Sequence, residues 1–469
     1  MGKNKKLVKN ISFVLIGNIG SKLMGFIMLP LYTRWLSPGD YGVVDTINVY
    51  TLLLINVIAL DVSDAIFVFP SNATTEKITK YYSTGFLFQI LGSLFCAIIF
   101  YILSFYPSDS TFFQYIWLVY GCLITSLFQK YSQDFCRGIN KMSVFSFTGI
   151  IQSISIAVFS FLLIPQWNIW GYVMAMIIAN IITFLFTFFY SHSYKYLSVK
   201  QFRIAELKEM LHYSIPIIPS SILWWFVTGI NRPLLEQYTG VFFIGLLAVA
   251  NKFTSIMSMT YNLFQQAWMV TVLEEFKKED FSNYFTQMYR NIIILQTFVC
   301  FIIIIFSKTI VQFITTEEYY EAWKFIPLIS IGVIFSNTSN FIGTLFSASR
   351  KSIYIFYTAI ISGGSAFLLN FLLIPSFGLW GACIALVLSQ VIGALTRIQY
   401  AKKFVTFNNN IFLMGQISIL IICYLTSLYS NIELKMSIYS LLFLLILFNN
   451  KKEMIYIYSL LSNKLRKRH

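Results

Sequence analysis

Long apolar runs, separated by short polar loops, follow one another along almost the whole chain. A helix of about 20 residues crosses the hydrocarbon core of a bilayer, and each run reaches that length or nearly so. Each run should be helical, because lipid offers no partners for unpaired backbone groups. The runs predict about fourteen membrane-spanning helices, at residues 11–35, 41–69, 81–106, 112–135, 143–164, 169–190, 213–236, 241–270, 284–307, 322–348, 353–374, 379–400, 411–430 and 436–450.

Basic residues concentrate in alternate loops, which gives the chain a predicted orientation. The first ten residues contain four lysines, and the apolar run behind them continues to about Trp35 without a small-residue cleavage site, so we interpret it as a first span rather than a signal peptide. If the amino end lies inside, the inner loops are rich in Lys and Arg, whereas the segment 308–321 has one lysine and three glutamates. This distribution follows the positive-inside rule, and an even number of spans predicts that both termini are cytoplasmic.

A sequence repeat divides the chain into two lobes. Residues 162–171 read LLIPQWNIWG and residues 372–381 read LLIPSFGLWG, with six of ten positions identical at a shift of 210 residues. Both copies fall in equivalent loops, which indicates a parallel repeat. The predicted organisation is an all-α membrane protein with an amino-terminal lobe at 1–190, a basic cytoplasmic connector at 191–212, a carboxy-terminal lobe at 213–405, and two further spans with a basic tail at 406–469.

Composition excludes several classes of function. The 469 residues are 57% hydrophobic and 11% charged, whereas soluble domains are about 25% charged. The net charge of +15 lies in short loops between apolar runs, which argues against nucleic acid as a partner. The six cysteines and three histidines are scattered, so no metal site, cofactor or catalytic set is indicated. With no loop long enough to form a domain, the chain favours a transporter over an enzyme.

Four basic residues are candidates for binding an anionic substrate. Lys22 and Lys252 each lie about eleven residues into a predicted span, near the membrane midplane. Charges at that depth are costly and often functional, and two lysines, one per lobe, suit an anion such as a diphosphate. Arg34 and Arg232, near the outer ends of their spans, could contribute to the same cavity. The alternatives are that the lysines snorkel or pair with carboxylates, and that the arginines anchor the helices at the interface.

Four acidic residues are candidates for ion coupling or gating. Asp61 and Asp64 are three residues apart and should share one helix face, so they could form a proton- or sodium-sensing pair. The alternative is that both lie in water at the inner mouth. Asp45 is expected to pair with Arg34, and Glu236 lies near the outer end of its span.

A third group could contact sugar. Trp faces stack on pyranose rings, and amide side chains bind hydroxyl groups. The candidates are Trp224, Trp225, Gln265, Gln266 and Asn231. Packing or interfacial anchoring is the alternative for the two tryptophans.

Several motifs together resemble a known superfamily. Span one contains Ser21-Lys22-Leu-Met-Gly25-Phe26 and leads into Leu36-Ser-Pro38-Gly-Asp40-Tyr41-Gly42, and span eight opens with Gly245 followed by Ala250-Asn251-Lys252. With the LLIP…WG turns, they resemble the multidrug/oligosaccharidyl-lipid/polysaccharide exporter superfamily, most of all its bacterial polysaccharide transporter branch. Related lipid II flippases carry Arg where this chain has Lys22, which implies a contact with the diphosphate.

The resemblance implies two parallel six-helix lobes, like those of multidrug and toxin extrusion (MATE) transporters, plus two extra helices. It implies a flippase in the bacterial inner membrane that moves an undecaprenyl-diphosphate-linked oligosaccharide to the outer leaflet by alternating access, for O-antigen, capsule or exopolysaccharide synthesis. A polysaccharide polymerase and a chain-length regulator would be partners, and no cofactor is implied. The alternative is a cation-coupled multidrug or small-solute exporter of the same fold.

Overall fold

The computed structural model describes residues 20, 24–406, 410–428 and 432–449, and within these ranges the chain is helical with short turns and no strand. The helices are, in chain order, α1 (Leu29–Trp35), α2 (Pro38–Ile58), α3 (Val62–Val68), α4 (Thr75–Leu103), α5 (Thr111–Gln114), α6 (Ile116–Gly138), α7 (Met142–Tyr190), α8 (Ile204–Ser214), α9 (Ile218–Thr228), α10 (Asn231–Tyr238), α11 (Val241–Glu275), α12 (Phe281–Ile314), α13 (Ile326–Ala348), α14 (Ile353–Ala401), α15 (Asn410–Ser427) and α16 (Ile432–Asn449). Short 3₁₀ segments lie at Phe69–Asn72, Ser193–Tyr196, Val199–Gln201, Ile215–Ile217 and Glu317–Lys324.

Eight helices of the described ranges are long and apolar enough to cross a membrane. Two of them, α7 and α14, contain 49 residues each, and each covers two predicted spans. Shorter apolar helices lie at Val62–Ser71, Phe412–Ser427 and Leu434–Phe448. The protein is therefore an all-helical, multi-pass membrane protein. The total of fourteen spans stays a prediction, since residues 11–19 and 21–23 of span one lie outside the described residues.

The chain divides into two compact units. The first comprises Met1–Val249 with the segments Thr315–Tyr319 and Asn370–Leu379, and the second comprises Ala250–Ile314, Tyr320–Leu369 and Trp380–His469. The lobe boundaries drawn from the repeat stay predictions.

The first unit has an aromatic core where α4 meets α6. Tyr82, Tyr131 and Phe135 are fully buried there, and the Tyr131 hydroxyl donates to the carbonyl of Tyr82 over 2.8 Å. Gly85 permits this approach, because a Cβ atom at residue 85 would overlap the hydroxyl of Tyr131. Removing that ring from water while satisfying its hydroxyl stabilises the packing of the two helices.

The predicted connector packs against the same helix. Ser83 donates to the carbonyl of Tyr196 over 2.8 Å and accepts from the backbone of Ser198 over 2.9 Å. The Tyr81 hydroxyl donates to a carboxylate oxygen of Glu209 over 2.6 Å. These bonds fix the segment that follows α7 onto α4 within the first unit.

The second unit has its own aromatic core. The rings of Trp268 and Phe341 stack with centroids 4.9 Å apart and an interplanar angle of 10°. The Trp268 indole N–H donates to the hydroxyl of Thr344 over 3.2 Å, so its one polar atom is satisfied. Apolar side chains of α12, α13 and α15 complete this core.

The starts of α2 and α11 are in direct backbone contact within the first unit. Ser37 and Asp40 form a capping box at the start of α2, which explains the Ser-Pro-Gly-Asp motif. A Cβ atom on Gly42 would overlap the carbonyl oxygen of Val241, and one on Gly245 would overlap that of Pro38. Small residues let helix backbones approach this closely in membranes. The two glycines therefore fix where α2 and α11 meet.

The two 49-residue helices share one unusual kink. Asn168 in α7 has φ 45° and ψ −118°, and Gly378 in α14 has φ 54° and ψ −129°. Each lies three residues after a proline, Pro165 or Pro375. The two kinks are 210 residues apart and fall in the two copies of the LLIP…WG turn. Each long helix is therefore a hairpin whose tip lies at its own copy of this turn.

The turns that lead into these hairpins also match. Asn140 and Arg350 are both left-handed, with φ of 60° and 56°. The next backbone N–H reaches back five residues in each case, from Lys141 to Cys136 over 2.8 Å and from Lys351 to Phe346 over 2.9 Å. This is the geometry of a Schellman helix end. The repeat found in the sequence is thus repeated in backbone geometry.

Candidate functional site

A partly buried ion pair joins α10 to α2 in the first unit. The Arg232 Nε lies 2.9 Å from Oδ2 of Asp45, and the side chains are 7% and 23% exposed. Arg232 also donates from Nη1 to the carbonyl of Thr228 over 2.7 Å and to Oδ1 of Asn231 over 2.8 Å. Asp45 was expected to pair with Arg34, but its partner is Arg232, and Arg34 is an exposed residue of α1. The guanidinium group of Arg232 is thus held in place by three oxygen atoms.

Glu236, one turn further along α10, binds the start of another helix. Its carboxylate accepts the backbone N–H of Thr111, the first residue of α5. A carboxylate at a helix start satisfies a donor that the helix itself leaves open. In this conformation Glu236 links α10 to α5.

Asp61 lies at a break between α2 and α3. Leu60 and Asp61 are both left-handed, with φ of 45° and 49°, and Asp61 is 2% exposed. The Ser221 hydroxyl of α9 lies 3.4 Å from Oδ2 of Asp61. Unwound helix segments recur at ion sites of transporters, and the coupling role of Asp61 stays a prediction. The interpretation of Asp61 as a water-exposed group does not fit this burial.

Two charged residues of α6 near Asp64, Lys130 and Asp134, were missed by the sequence interpretation. Lys130 of α6 has its Nζ 3.7 Å from Oδ1 of Asp64. One turn later Asp134, with a side chain 11% exposed, pairs with Arg137 at 3.2 Å. Lys130 and Asp134 lie inside the predicted span 112–135, so the rule that flags ionisable residues within a span could have found them.

The two adjacent tryptophans of α9 have different environments. Trp225 is 9% exposed, and its indole N–H donates to the carbonyl of Val49 in α2 over 3.0 Å. Trp224 is 53% exposed. Trp225 therefore attaches α9 to α2, whereas Trp224 presents a free face. Gln265 and Gln266 are half-buried residues of α11 in the second unit.

Only one of the two predicted midplane lysines lies within the described residues. Lys22 lies outside the described residues. Lys252 is half-buried on α11, in the second unit. Their approach to one another stays a prediction.

Arg397, near the end of the predicted span 379–400, is a half-buried cation of the second unit. Its Nε donates to the hydroxyl of Thr358 over 3.1 Å, and its Nη1 donates to the carbonyl of Ser339 over 2.6 Å. Gly343 makes room for it, because a Cβ atom there would lie 3.1 Å from Nη1. Arg397 therefore crosslinks α13 and α14 inside the second unit rather than reaching the inner loop.

No group of three or more His, Cys, Asp or Glu side chains that could hold a metal ion occurs within the described ranges. All six cysteines are buried free thiols.

The all-helical, multi-pass fold, with ion pairs inside it, defines the chain as a polytopic membrane protein. Solved structures share this fold. The chain resembles the lipid II flippase MurJ in its inward closed conformation with a TM-score of 0.70 at 16% identity, over 95% of this chain and 100% of that one. It also resembles an inward-facing multidrug resistance MATE family transporter of the MOP superfamily, with a TM-score of 0.60 at 11% identity, over 86% of this chain and 95% of that one.

Residues 7–270, more than half of the chain, match the model of the polysaccharide biosynthesis protein family, and the protein belongs to that family. A curated relative is the capsular polysaccharide biosynthesis protein CapF of Staphylococcus aureus, which is 24% identical over 416 residues, 85% of this chain and 100% of the relative. The resemblance stated from the motifs is thereby confirmed.

Proposed function

We propose that this protein is a flippase that moves an undecaprenyl-diphosphate-linked oligosaccharide repeat unit from the cytoplasmic to the outer leaflet by alternating access. The observation that carries the proposal is the family match over residues 7–270. The fold shared with the lipid II flippase MurJ supports it. The product would feed synthesis of an O-antigen, capsule or exopolysaccharide.

The physical need for such a protein follows from the substrate. An unpaired charge costs many kcal/mol in hydrocarbon, so a diphosphate does not cross a bilayer unaided. In our proposal Lys22 and Lys252 contact the diphosphate while the lipid tail stays in the membrane. Arg34 is exposed and could approach the same group. Arg232 is engaged with Asp45, so we assign it to positioning α10.

Sugar and ion contacts are proposed on the same basis. Trp224 offers an exposed ring for stacking, whereas the indole N–H of Trp225 is already bound. Asn231 is buried against Arg232, which leaves Gln265 and Gln266 as the accessible amides. Asp61, buried at the helix break, is the residue we propose for cation coupling.

The proposal includes an orientation and partners. Both termini would face the cytoplasm, in the inner membrane of a bacterium, as the loop charges predict. A polysaccharide polymerase and a chain-length regulator would act on the flipped product in the outer leaflet.

The test is a Lys22→Ala strain. We expect lipid-linked repeat units to accumulate in the inner leaflet and surface polysaccharide to fall, because the cavity loses a cation that holds the diphosphate. Lys22→Arg keeps the charge, so it should retain most of the function. Lys6→Ala, in the basic amino-terminal segment, serves as the matched control.

Normal surface polysaccharide in the Lys22→Ala strain, at unchanged protein level, would remove the role given to Lys22. A null strain with normal polysaccharide and increased sensitivity to cationic drugs would overturn the flippase proposal in favour of a drug exporter.

A further inference from the structure

An open groove lies between the two ends of the α7 hairpin. It has a volume of about 990 Å³. Residues from both ends of the hairpin line it, including Lys141, Val144, Leu185, Phe189, Tyr190 and His192. The groove belongs wholly to the first unit.

One rim of the groove is basic. The Lys141 Nζ donates to the carbonyl of Ser191. This bond uses one of the three N–H donors of the lysine. His192 is held in the left-handed conformation, with φ 56°, and its Nδ1 lies 3.3 Å from the Tyr194 hydroxyl. A lysine fixed by one bond can present its remaining donors to a single anion.

The wall of the groove is apolar and open. Leu185, Phe189 and Tyr190 are 43%, 58% and 65% exposed. An apolar wall beside a cationic rim fits an amphiphile with a negative headgroup. Trp167 and Trp170, at the hairpin tip, are 55% and 50% exposed, and they suit the opposite membrane interface.

The second hairpin fills the corresponding space with its own side chains. Tyr354 stands 210 residues after Val144, and its ring centroid lies 5.1 Å from that of Tyr400. The Lys403 Nζ lies 5.3 Å from the centroid of Tyr354. The two hairpins share kink and register, and α15 also packs beside the second one, where Leu395, the counterpart of Leu185, lines a pocket with Leu413 and Ile417. The groove of the first hairpin is thus a feature that the second hairpin lacks.

We propose that this groove binds an anionic phospholipid of the cytoplasmic leaflet, with its phosphate at Lys141 and His192 and its acyl chains along Leu185 and Phe189. The inference rests on the orientation given under the proposed function. Basic pockets at the cytoplasmic ends of helices recognise anionic headgroups, since that leaflet carries negative charge.

The test is native mass spectrometry of the purified full-length protein, titrated with phosphatidylglycerol or with phosphatidylcholine of the same acyl chains. We expect the wild type to bind phosphatidylglycerol at least about tenfold more tightly. Leu185→Trp fills the groove from an exposed position and should remove that binding. Leu162→Trp is the matched control, because Leu162 is 52% exposed elsewhere on the same hairpin.

Two more variants separate the charge from the shape. Lys141→Gln keeps a donor for the Ser191 carbonyl but removes the charge, so the preference for phosphatidylglycerol should fall while phosphatidylcholine binding stays unchanged. Val144→Tyr copies the second hairpin and should reduce binding of both lipids at the groove.

Unchanged phosphatidylglycerol binding in Leu185→Trp would overturn the proposal. Equal binding of the two lipids by the wild type would overturn the anionic specificity, and so would retention of the preference in Lys141→Gln. Lipid binding is measured on purified protein without transport. A failure of the lipid-site proposal is therefore distinguishable from a failure of the flippase proposal.

Discussion

Adding one methyl group where α2 meets α11 should destabilise the protein. In Gly42→Ala the new Cβ would overlap the carbonyl oxygen of Val241 and lie 2.9 Å from the backbone nitrogen of Gly245. The reciprocal change, Gly245→Ala, would overlap the carbonyl oxygen of Pro38. Both clashes are with backbone, so no side chain can rotate away.

The magnitude follows from the distances. The 2.9 Å separation is at least ~0.5 Å short of a relaxed contact between nonbonded heavy atoms. The helix starts must separate, and overpacking of this kind costs about 1–3 kcal/mol. Elsewhere in a helix the same substitution stabilises by about 0.5–1 kcal/mol, because glycine has the larger backbone entropy.

The assay is thermal unfolding in detergent, followed by fluorescence-detected size exclusion. Gly364→Ala is the matched control, since a Cβ there meets nothing within 4 Å. We expect Gly42→Ala and Gly245→Ala to unfold at lower temperature than the wild type and Gly364→Ala at the same or higher temperature. If all three variants unfold alike, the close backbone contact is refuted.

Four other substitutions test the first unit by the same assay. Arg232→Lys keeps the charge but loses the guanidinium fork that reaches Asp45, Thr228 and Asn231 together, so it should destabilise by about 1–3 kcal/mol. Equal stability to the wild type would contradict the pair. Trp225→Phe should cost about 1 kcal/mol through the lost indole bond, whereas Trp224→Phe should be neutral; similar losses in both would argue against the assignment. Asn168→Gly should stabilise by about 1–3 kcal/mol, because the repeat has glycine in this strained conformation, and a destabilised variant would contradict the shared kink.

The repeat and the helical class could be predicted because they depend on local pattern. Twenty apolar residues in a row specify a span whatever they pack against. The identical proline, tryptophan and glycine of the two LLIP…WG turns marked hairpin tips that the structure shows at Asn168 and Gly378.

The ionic partners could not be predicted, because a side chain's partner depends on helix rotation and packing. Asp45 is eleven residues from Arg34 in sequence but pairs with Arg232, which a separate helix brings to it. Arg397 lies near the end of a predicted span, and only the structure shows that it binds Thr358 and Ser339 in the space beside Gly343. Asp61 looked accessible, and only the break after α2 shows how it is buried.

The most direct test of the central claim is translocation by the purified protein in liposomes that carry an undecaprenyl-diphosphate-linked oligosaccharide. The fraction of oligosaccharide accessible to an external glycosidase is followed with time, in vesicles with wild-type protein, with Lys22→Ala and without protein. The account predicts fast conversion of the inner pool with the wild type and slow conversion in the other two. Equal rates with and without wild-type protein would contradict it.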